Sequence, residues 1–418
     1  MMAQLSEDCF AFGRALMTLE DALRLLEQRL ACVVGEEEAE LRRCRGRVLA
    51  EDVSAAEDVP PHDNSAVDGY ALRFEDLAPG AETRLRIAGR AAAGHPFDQT
   101  PGKGEAVRIF TGGPMPAGCD TVMMQEDCVA EGEYVGLRPG LKRGANLRRA
   151  GEDVRAGSIV LRNGMRLRPQ DVGLAASVGR ARLRVRRPLR AAVFSTGDEL
   201  CEPGPPRRPG AIYDANRPVM IALLDALGCQ VSDLGILEDD LEAILSALAG
   251  AMGEHDLLLT SGGMSVGEED HVKAAVQSLG ELHFWQLAIK PGRPIGLGQV
   301  GGTAFIGLPG NPVAMMVTFL RIARPMILRL AGSRNEPLTF YPARAAFEHR
   351  KKAGRREWVR ARLQPGEDGV PVARKFPRDG AGILSSLVES DGLIELPEGL
   401  TRLQPGDVVD FLPFGEVL

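Results

Sequence analysis

From residue 190 to 332 short apolar runs alternate with helix-period segments, and no other feature of the chain narrows its possible folds as far. RAAVFST, CQVSDLGIL, DLLLTSGG and ELHFWQLAIK have the length and aliphatic content of strands. Between and after them lie IYDANRPVMIALLDALGC, DDLEAILSALAGAM and EEDHVKAAVQSLG, which read as helices. Strands joined through helices cannot pair as hairpins; they lie parallel and need helices over both faces. The pattern therefore predicts a three-layer α/β domain with a largely parallel sheet. Gly228 closes its first helix. Asn311-Pro312 opens a further one, with Asn as cap and Pro at the first helical position, and Pro325 is expected to kink or end it.

The flanking regions have other rhythms. Thr18-Leu-Glu-Asp21 is an N-cap signal, followed by Leu19, Ala22, Leu23, Leu26 and Leu30 at helical spacing. LRRCRGRVLAEDV reads as a possible second helix. From about 54 to 150 Gly and Pro become frequent and short apolar runs (LRIAGRAAAG, EAVRIFTGG, TVMMQEDCV) alternate with turns, the mark of an all-β unit. Residues 153–187 hold a helical run and then RARLRVRRPLR, where Arg180, Arg182, Arg184 and Arg186 share one strand face. That basic face reads as solvated rather than as an anion site. After about 333 short strands return (REWVRARL, LIELPEG, DVVDFLPF), predicting a small C-terminal β-domain.

Composition excludes several functions. The net charge of −7 argues against a general nucleic-acid or anionic-membrane binder, so an anionic ligand would need local cationic loops. Seven scattered cysteines without CxxC spacing point to reduced thiols in a cytoplasmic protein, and six dispersed histidines show no HExxH. No apolar run is long enough to span a membrane, and the N-terminus lacks a signal pattern. GLGQVG at 296–301 fits GxGxxG, but GTAFIGL after it is a strand, so a hairpin is expected there. No GxxxxGK[ST] occurs.

Loops at successive strand ends carry the chemistry. TSGGMSVGEED (260–270) offers glycines for close approach to a phosphate, hydroxyls, and three consecutive acids, Glu268, Glu269 and Asp270. KPGRP sets Lys290 and Arg293 on a Pro-bracketed loop suited to an oxyanion. GLPGNP feeds a helix N-terminus. STGDEL and LGILEDD add Asp198, Glu199, Asp239 and Asp240, which can serve as helix caps or face the same crevice. Carboxylates beside phosphate cradles call for a mediator, and Mg²⁺ is the natural one. Outside this region, PPHDNSAVDGYALR (60–73) reads locally as a shaped turn containing Asp63 and Asp68.

Taken in order, DNSAVDGYALR, RIFTGGPMP, RRAGEDV, FSTGDEL, IYDANR, TSGGMSVGEEDHVK, FWQLAIKPGRPIG and GLPGNPVA resemble the MoeA/gephyrin E-domain family of molybdopterin molybdenumtransferases, from about residue 18 to 410. The resemblance implies a multidomain α/β plus β architecture. A helical linker domain is formed by 1–53 and 153–187, and an inserted β-domain by 54–152. A molybdopterin-binding α/β domain spans 188–332, and a β-barrel-like domain 333–418. It implies a homodimer whose cleft lies between the α/β domain of one subunit and the 54–152 domain of the other. The implied reaction is Mg²⁺-dependent insertion of molybdate into adenylylated molybdopterin with release of AMP, and the product passes on to molybdoenzymes or other enzymes of the cofactor pathway. Catalytic positions would be Asp68, Asp153, Glu199, Asp239, Asp270 and Lys290, with the metal on Asp239, Asp240 and Asp270. Substrate would contact Thr111, Ser261, Gly262, Gly263, Ser265 and Arg293. Pro309, Gly310, Asn311, Pro312, Arg360 and Ser385 (or Ser386) complete that set. Gln286 stands where many members carry lysine. The rival readings are transfer of AMP onto molybdopterin and a non-catalytic scaffold of the same fold.

Overall fold

The computed structural model describes residues 16–263, 271–334 and 336–416. At its centre lies a six-stranded sheet in the order Gln230–Leu237, Arg190–Thr196, Leu257–Ser261, Thr303–Leu308, Pro294–Val300, Gly280–Gln286. The first four strands run parallel, and each of the last two is antiparallel to its neighbour. The GLGQVG segment lies in the 294–308 hairpin, as the strand following it requires.

Strand alternation explains why both faces are covered. Ala191 and Val193 point into one apolar cluster with Met220, Leu223 and Leu224 of helix Asn216–Ala226. Ala192 and Phe194 point into another, with Ile244, Leu248, Val272 and Val276 of helices Leu241–Ala251 and His271–Leu279. The chain starts this sheet in its interior at 190–196, steps outward to 230–237, then crosses to 257–261 on the other side. The carboxyl end of 190–196 is thus a topological switch point, where open α/β sheets leave a crevice. The helix opened by Pro312 does not stop at Pro325. It runs as α over Pro312–Thr318, widens to a π segment over Phe319–Ala323 and resumes over Arg324–Leu330. A proline lacks the N–H that the preceding turn would use, and the wider turn accommodates it.

Helix Leu19–Arg29 begins where Thr18 accepts a hydrogen bond from the Asp21 N–H (3.1 Å), and it buries Leu19, Ala22 and Leu26 against the central domain. LRRCRGRVLAEDV departs from its expected helix. Only Leu41–Arg43 makes a short 3₁₀ turn. Gly46 adopts φ 77°, and Val48 and Leu49 bridge to Arg166 and Val185. Long-range pairing takes the backbone groups a helix would have used.

Between Gly69 and Leu137 lies a six-stranded sheet ordered Thr121–Met124, Gly69–Leu72, Glu105–Ile109, Thr83–Ala91, Tyr134–Leu137, Cys128–Glu131, and Asn64–Ser65 pairs separately with Leu147–Arg148. In the C-terminal region Arg356–Gln364 pairs with both Val372–Lys375 and Gly392–Leu396. Tyr341–Ala345 and Val408–Pro413 complete the ring, closing a five-stranded barrel. Ile289–Lys290, from the central domain, adds to this barrel as a parallel edge strand beside Arg356 and Glu357. No helix among the described residues is long and apolar enough to cross a membrane.

Candidate functional site

At the switch point, Thr196 ends its strand with a buried hydroxyl that donates to Asp239 Oδ1 (3.1 Å), tying two strand ends together. Asp239 is itself exposed. Asp240 caps the next helix, accepting from the Ala243 N–H at 3.0 Å. Glu199 is exposed on the adjoining turn, where its carbonyl accepts from the Ile212 N–H (2.7 Å). That turn is braced by Arg217, buried among Asp214, Asp233 and Glu202.

Gly262 and Gly263 take φ +94° and +60°, a region other residues rarely enter. The Gly262 N–H donates to the Leu308 carbonyl (3.1 Å), and a Cβ on Gly310 would lie 3.6 Å from the Gly262 Cα. The TSGG and GLPGNP loops therefore meet backbone to backbone. Asn216 clamps the second by donating to the Gly310 carbonyl at 2.7 Å. Ser261 and Pro309 are buried beneath, while Gly310 and Asn311 are exposed and Pro312 is half-buried. Asn311 holds the cap position without a side-chain bond. Ser195 Oγ and Thr260 Oγ1 are buried at the same sheet edge with no hydrogen-bond partner among the described residues. Ser265 and Asp270 lie outside the described residues.

Cations enter from the barrel side. Lys290 Nζ donates to Glu357 Oε1 at 2.8 Å. Arg293 is exposed beyond it, and a side chain at Gly292 (φ +99°) would collide with Thr318, so the KPGRP loop packs on the helix that GLPGNP starts. Arg360 is buried and donates to the Gly380 carbonyl (2.7 Å) and Ser386 Oγ (2.8 Å). The next residue of that loop, Ala381, accepts from the Val313 N–H at 2.9 Å. The barrel loop 378–383 thereby bonds both to Arg360 and to the GLPGNP helix. Ser386 is the serine at Arg360; Ser385 is exposed. Gln286 is exposed at the end of its strand, with its carbonyl bonded to the Met17 N–H.

A second group lies in the 54–152 region. The Thr111 N–H and hydroxyl both donate to Asp68 Oδ1 at 2.8 Å. These two bonds hold the Asp68 carboxyl below the usual carboxylate range, with Arg108 adding to the effect. Asp63 shapes the neighbouring loop, accepting from the Ala150 N–H (2.8 Å) and Arg149 (3.2 Å). Asp153 is exposed just beyond, on a turn whose N–H bonds the Val59 carbonyl (3.0 Å). No hydrogen bond or ion pair among the described residues joins this group to the 188–332 crevice.

The sequence reading brought out Asp68, Thr111, Asp239, Lys290 and Arg360. Thr196, Asn216, Arg108 and Glu357 lie within the quoted stretches FSTGDEL, IYDANR, RIFTGGPMP and REWVRARL without being singled out there, because their contacts arise only from register and loop packing. Among the described residues no three His, Cys, Asp or Glu side chains gather as a metal cage. Asp239 still offers an exposed carboxylate at the crevice. That suits Mg²⁺, which binds through one or two carboxylates plus phosphate oxygens and needs no full protein cage.

Known proteins share this architecture. Family models describing the MoeA N-terminal region (domain I and II), a probable molybdopterin binding domain and the MoeA C-terminal region (domain IV) match residues 17–179, 192–329 and 342–414. A molybdopterin molybdenumtransferase of Haemophilus influenzae is 37% identical over 405 residues, covering 96% of this chain and 100% of its own. A molybdopterin molybdenumtransferase 2 of Mycobacterium tuberculosis is 35% identical over 378 residues, covering 88% and 92%. The crystal structure of a molybdopterin biosynthesis moeA protein from Pyrococcus horikoshii superposes with TM-score 0.82 at 30% identity, covering 96% of this chain and 100% of that one. With identity, coverage and three-part architecture in agreement, this chain belongs to the MoeA family of molybdopterin molybdenumtransferases.

Proposed function

We propose that the protein inserts molybdate into adenylylated molybdopterin, with Mg²⁺ and release of AMP. The observation that carries this reading is the meeting of the TSGG, KPGRP and GLPGNP loops, with Lys290 and Arg293 on one of them and Arg360 coming from the barrel. TSGG and GLPGNP touch at the switch point, and the latter is bonded through loop 378–383 to Arg360. The Gly262–Gly263 and Gly310–Asn311 loops hold the phosphates of the substrate. Lys290, Arg293 and Arg360 attract molybdate, with Ser386 beside Arg360. Asp239, aided by Asp240 and Asp270, would hold Mg²⁺, whose charge screens the phosphoanhydride when it is bound. Asp68, Asp153 and Glu199 orient water and protons as oxygen leaves the metal oxyanion.

The reading includes a homodimer, because among the described residues Asp68 and Thr111 have no bond to the crevice of their own chain. A second copy would bring them to it. The test is complementation. Purified Asp68→Ala and Asp239→Ala variants should each convert adenylylated molybdopterin at less than about a hundredth of the parent rate. Mixed after subunit exchange, they should recover about a quarter of it, since half the dimers are mixed and each then has one intact cleft. Parent rates in either single variant overturn the assignment, and failure of exchanged mixtures to recover overturns the shared cleft. ATP consumption with unmodified molybdopterin would show adenylyl transfer instead.

A further inference from the structure

We infer that His349 and Glu357 form a buried dyad that positions Lys290, making them positioning residues for the oxyanion step. The inference rests on the proposed molybdate insertion for its function and on geometry alone for its structure.

Strand register places the pair. Ile289–Lys290 lies parallel to the start of Arg356–Gln364, with Lys290 opposite Glu357, and the Arg356 N–H donates to the Ala288 carbonyl at 2.8 Å. Glu357 Oε1 then accepts from Lys290 Nζ (2.8 Å) and His349 Nε2 (3.0 Å). The Glu357 and His349 side chains are only 8% and 9% exposed, whereas that of Lys290 is 54% exposed. A plain surface ion pair exposes both partners. Here the anion is sunk in the barrel wall and the cation stands out of it. An ammonium has three donors, and Glu357 uses one.

His349 bonds on both sides. Nε2 lies 3.0 Å from Glu357 Oε1 and Nδ1 lies 3.4 Å from Lys375 Nζ, so the ring bridges the carboxylate and the second ammonium. Lys375 continues to Asp379 (2.8 Å), which opens the same loop that binds Arg360 and the Val313 N–H. A continuous chain therefore runs Lys290–Glu357–His349–Lys375–Asp379 into the loop that supports the GLPGNP helix. Along this seam the cations Lys290, Arg360 and Lys375 outnumber the carboxylates Glu357 and Asp379, so it keeps a net positive charge. Burial favours the neutral acid at Glu357, but the His349 and Lys290 hydrogen bonds outweigh it and bring the carboxyl down to about 2, so the anion persists at neutral pH.

The test uses the full chain with Glu357→Gln, Glu357→Asp and His349→Gln, read in two ways. Competitive acetylation of amines followed by mass spectrometry, without substrate, reports how Lys290 is held. Glu357→Gln should change its reactivity at least about fivefold, and Glu357→Asp should bring it back toward the parent. In turnover, Glu357→Gln should raise the KM for molybdate about tenfold with kcat within about twofold. His349→Gln, which keeps the fold if Glu357→Gln does not, should move both in the same sense by less. Unchanged Lys290 reactivity in Glu357→Gln and His349→Gln overturns the dyad, as does a fall in kcat with molybdate KM unmoved. If Lys290 reactivity shifts as stated but the parent shows no molybdate-dependent turnover, the dyad stands and the reading of the reaction falls.

Discussion

The strand Arg182–Arg186 and the loop Lys290–Arg293 both present closely spaced cations, yet the two stretches treat charge in opposite ways. On the strand every second residue is arginine, and the antiparallel partner Glu36–Glu40 sets a glutamate opposite each: Glu36 to Arg186, Glu38 to Arg184, Glu40 to Arg182. Arg184 and Arg186 pair with Glu36 at 2.7 and 2.8 Å, and Arg182 reaches Glu38 at 3.5 Å. The ladder closes on itself and leaves no cation for a ligand. Around Lys290 the partners come from separate elements, the carboxylate is buried, and cations remain in excess. Spacing along one strand therefore says little about whether a basic segment binds anions. What decides is whether a complementary strand lies opposite and whether the partner anion is shielded from water.

The sharpest way to break this contrast is Arg360→Met. Arg360 is buried, and burial pushes its guanidinium pKa down while Asp379 opposes the shift. Removing it leaves Ser386 Oγ and the Gly380 carbonyl without their charged donor. The variant is expected to lose about 3 kcal/mol of stability by denaturant titration and more than about a hundredfold in molybdenum insertion. Arg360→Lys should recover little, because one ammonium cannot reproduce a two-ended fork. Parent activity in either variant would make the seam no more special than the ladder.

Next in size is the acid response at Glu357. Its folded carboxyl titrates at about 2 against an ordinary 4.5, because the bonds from His349 and Lys290 outweigh burial. A depressed carboxyl contributes stability above its unfolded pKa and loses it as pH falls through the folded one. The stability gap between parent and Glu357→Gln should thus be constant from about pH 5.5 to 8 and close between about pH 4.5 and 2. Its plateau is expected near 2 kcal/mol, below the full shift because Lys290 is half exposed. Chemical denaturation across that range measures it, and a gap that persists at pH 2 would exclude the pair as its source.

How far the sequence shows these features depends on how local their causes are. The 190–332 domain is legible because fully buried strands and amphipathic helices differ in period within ten residues. Three of the five barrel strands were legible in REWVRARL, LIELPEG and DVVDFLPF, while Tyr341–Ala345 and Val372–Lys375 were not, and the barrel itself was expected only from the family resemblance. LRRCRGRVLAEDV misleads because Gly46 and pairing to Arg166 and Val185 override its helical spacing. Asp68 and Thr111 can be noticed separately, but their bond spans a turn that only the folded sheet creates. Between Ser385 and Ser386 one residue of helical phase decides which is buried. Glu357 sits in the legible strand REWVRARL, yet nothing local pairs it with His349 or Lys290, since that contact exists only once Lys290 is in register with the barrel.

The smallest effect belongs to the ladder, and it tests the comparison from the other side. Arg184 is more than half exposed and its bond to Glu36 is shared with Arg186. Arg184→Ala should change stability by no more than about 0.5 kcal/mol at physiological salt. Its effect on molybdate KM should be nil. Replacing Arg182, Arg184 and Arg186 together by Gln should cost more at low salt, because Glu36, Glu38 and Glu40 then face one another uncompensated, and the difference should shrink as salt rises to about 0.15 M. Thermal melts across a salt series separate the two cases. A large, salt-insensitive loss in Arg184→Ala would mean the ladder shields its charges as the seam does, and the distinction between the two regions would then rest on the Glu357 dyad alone.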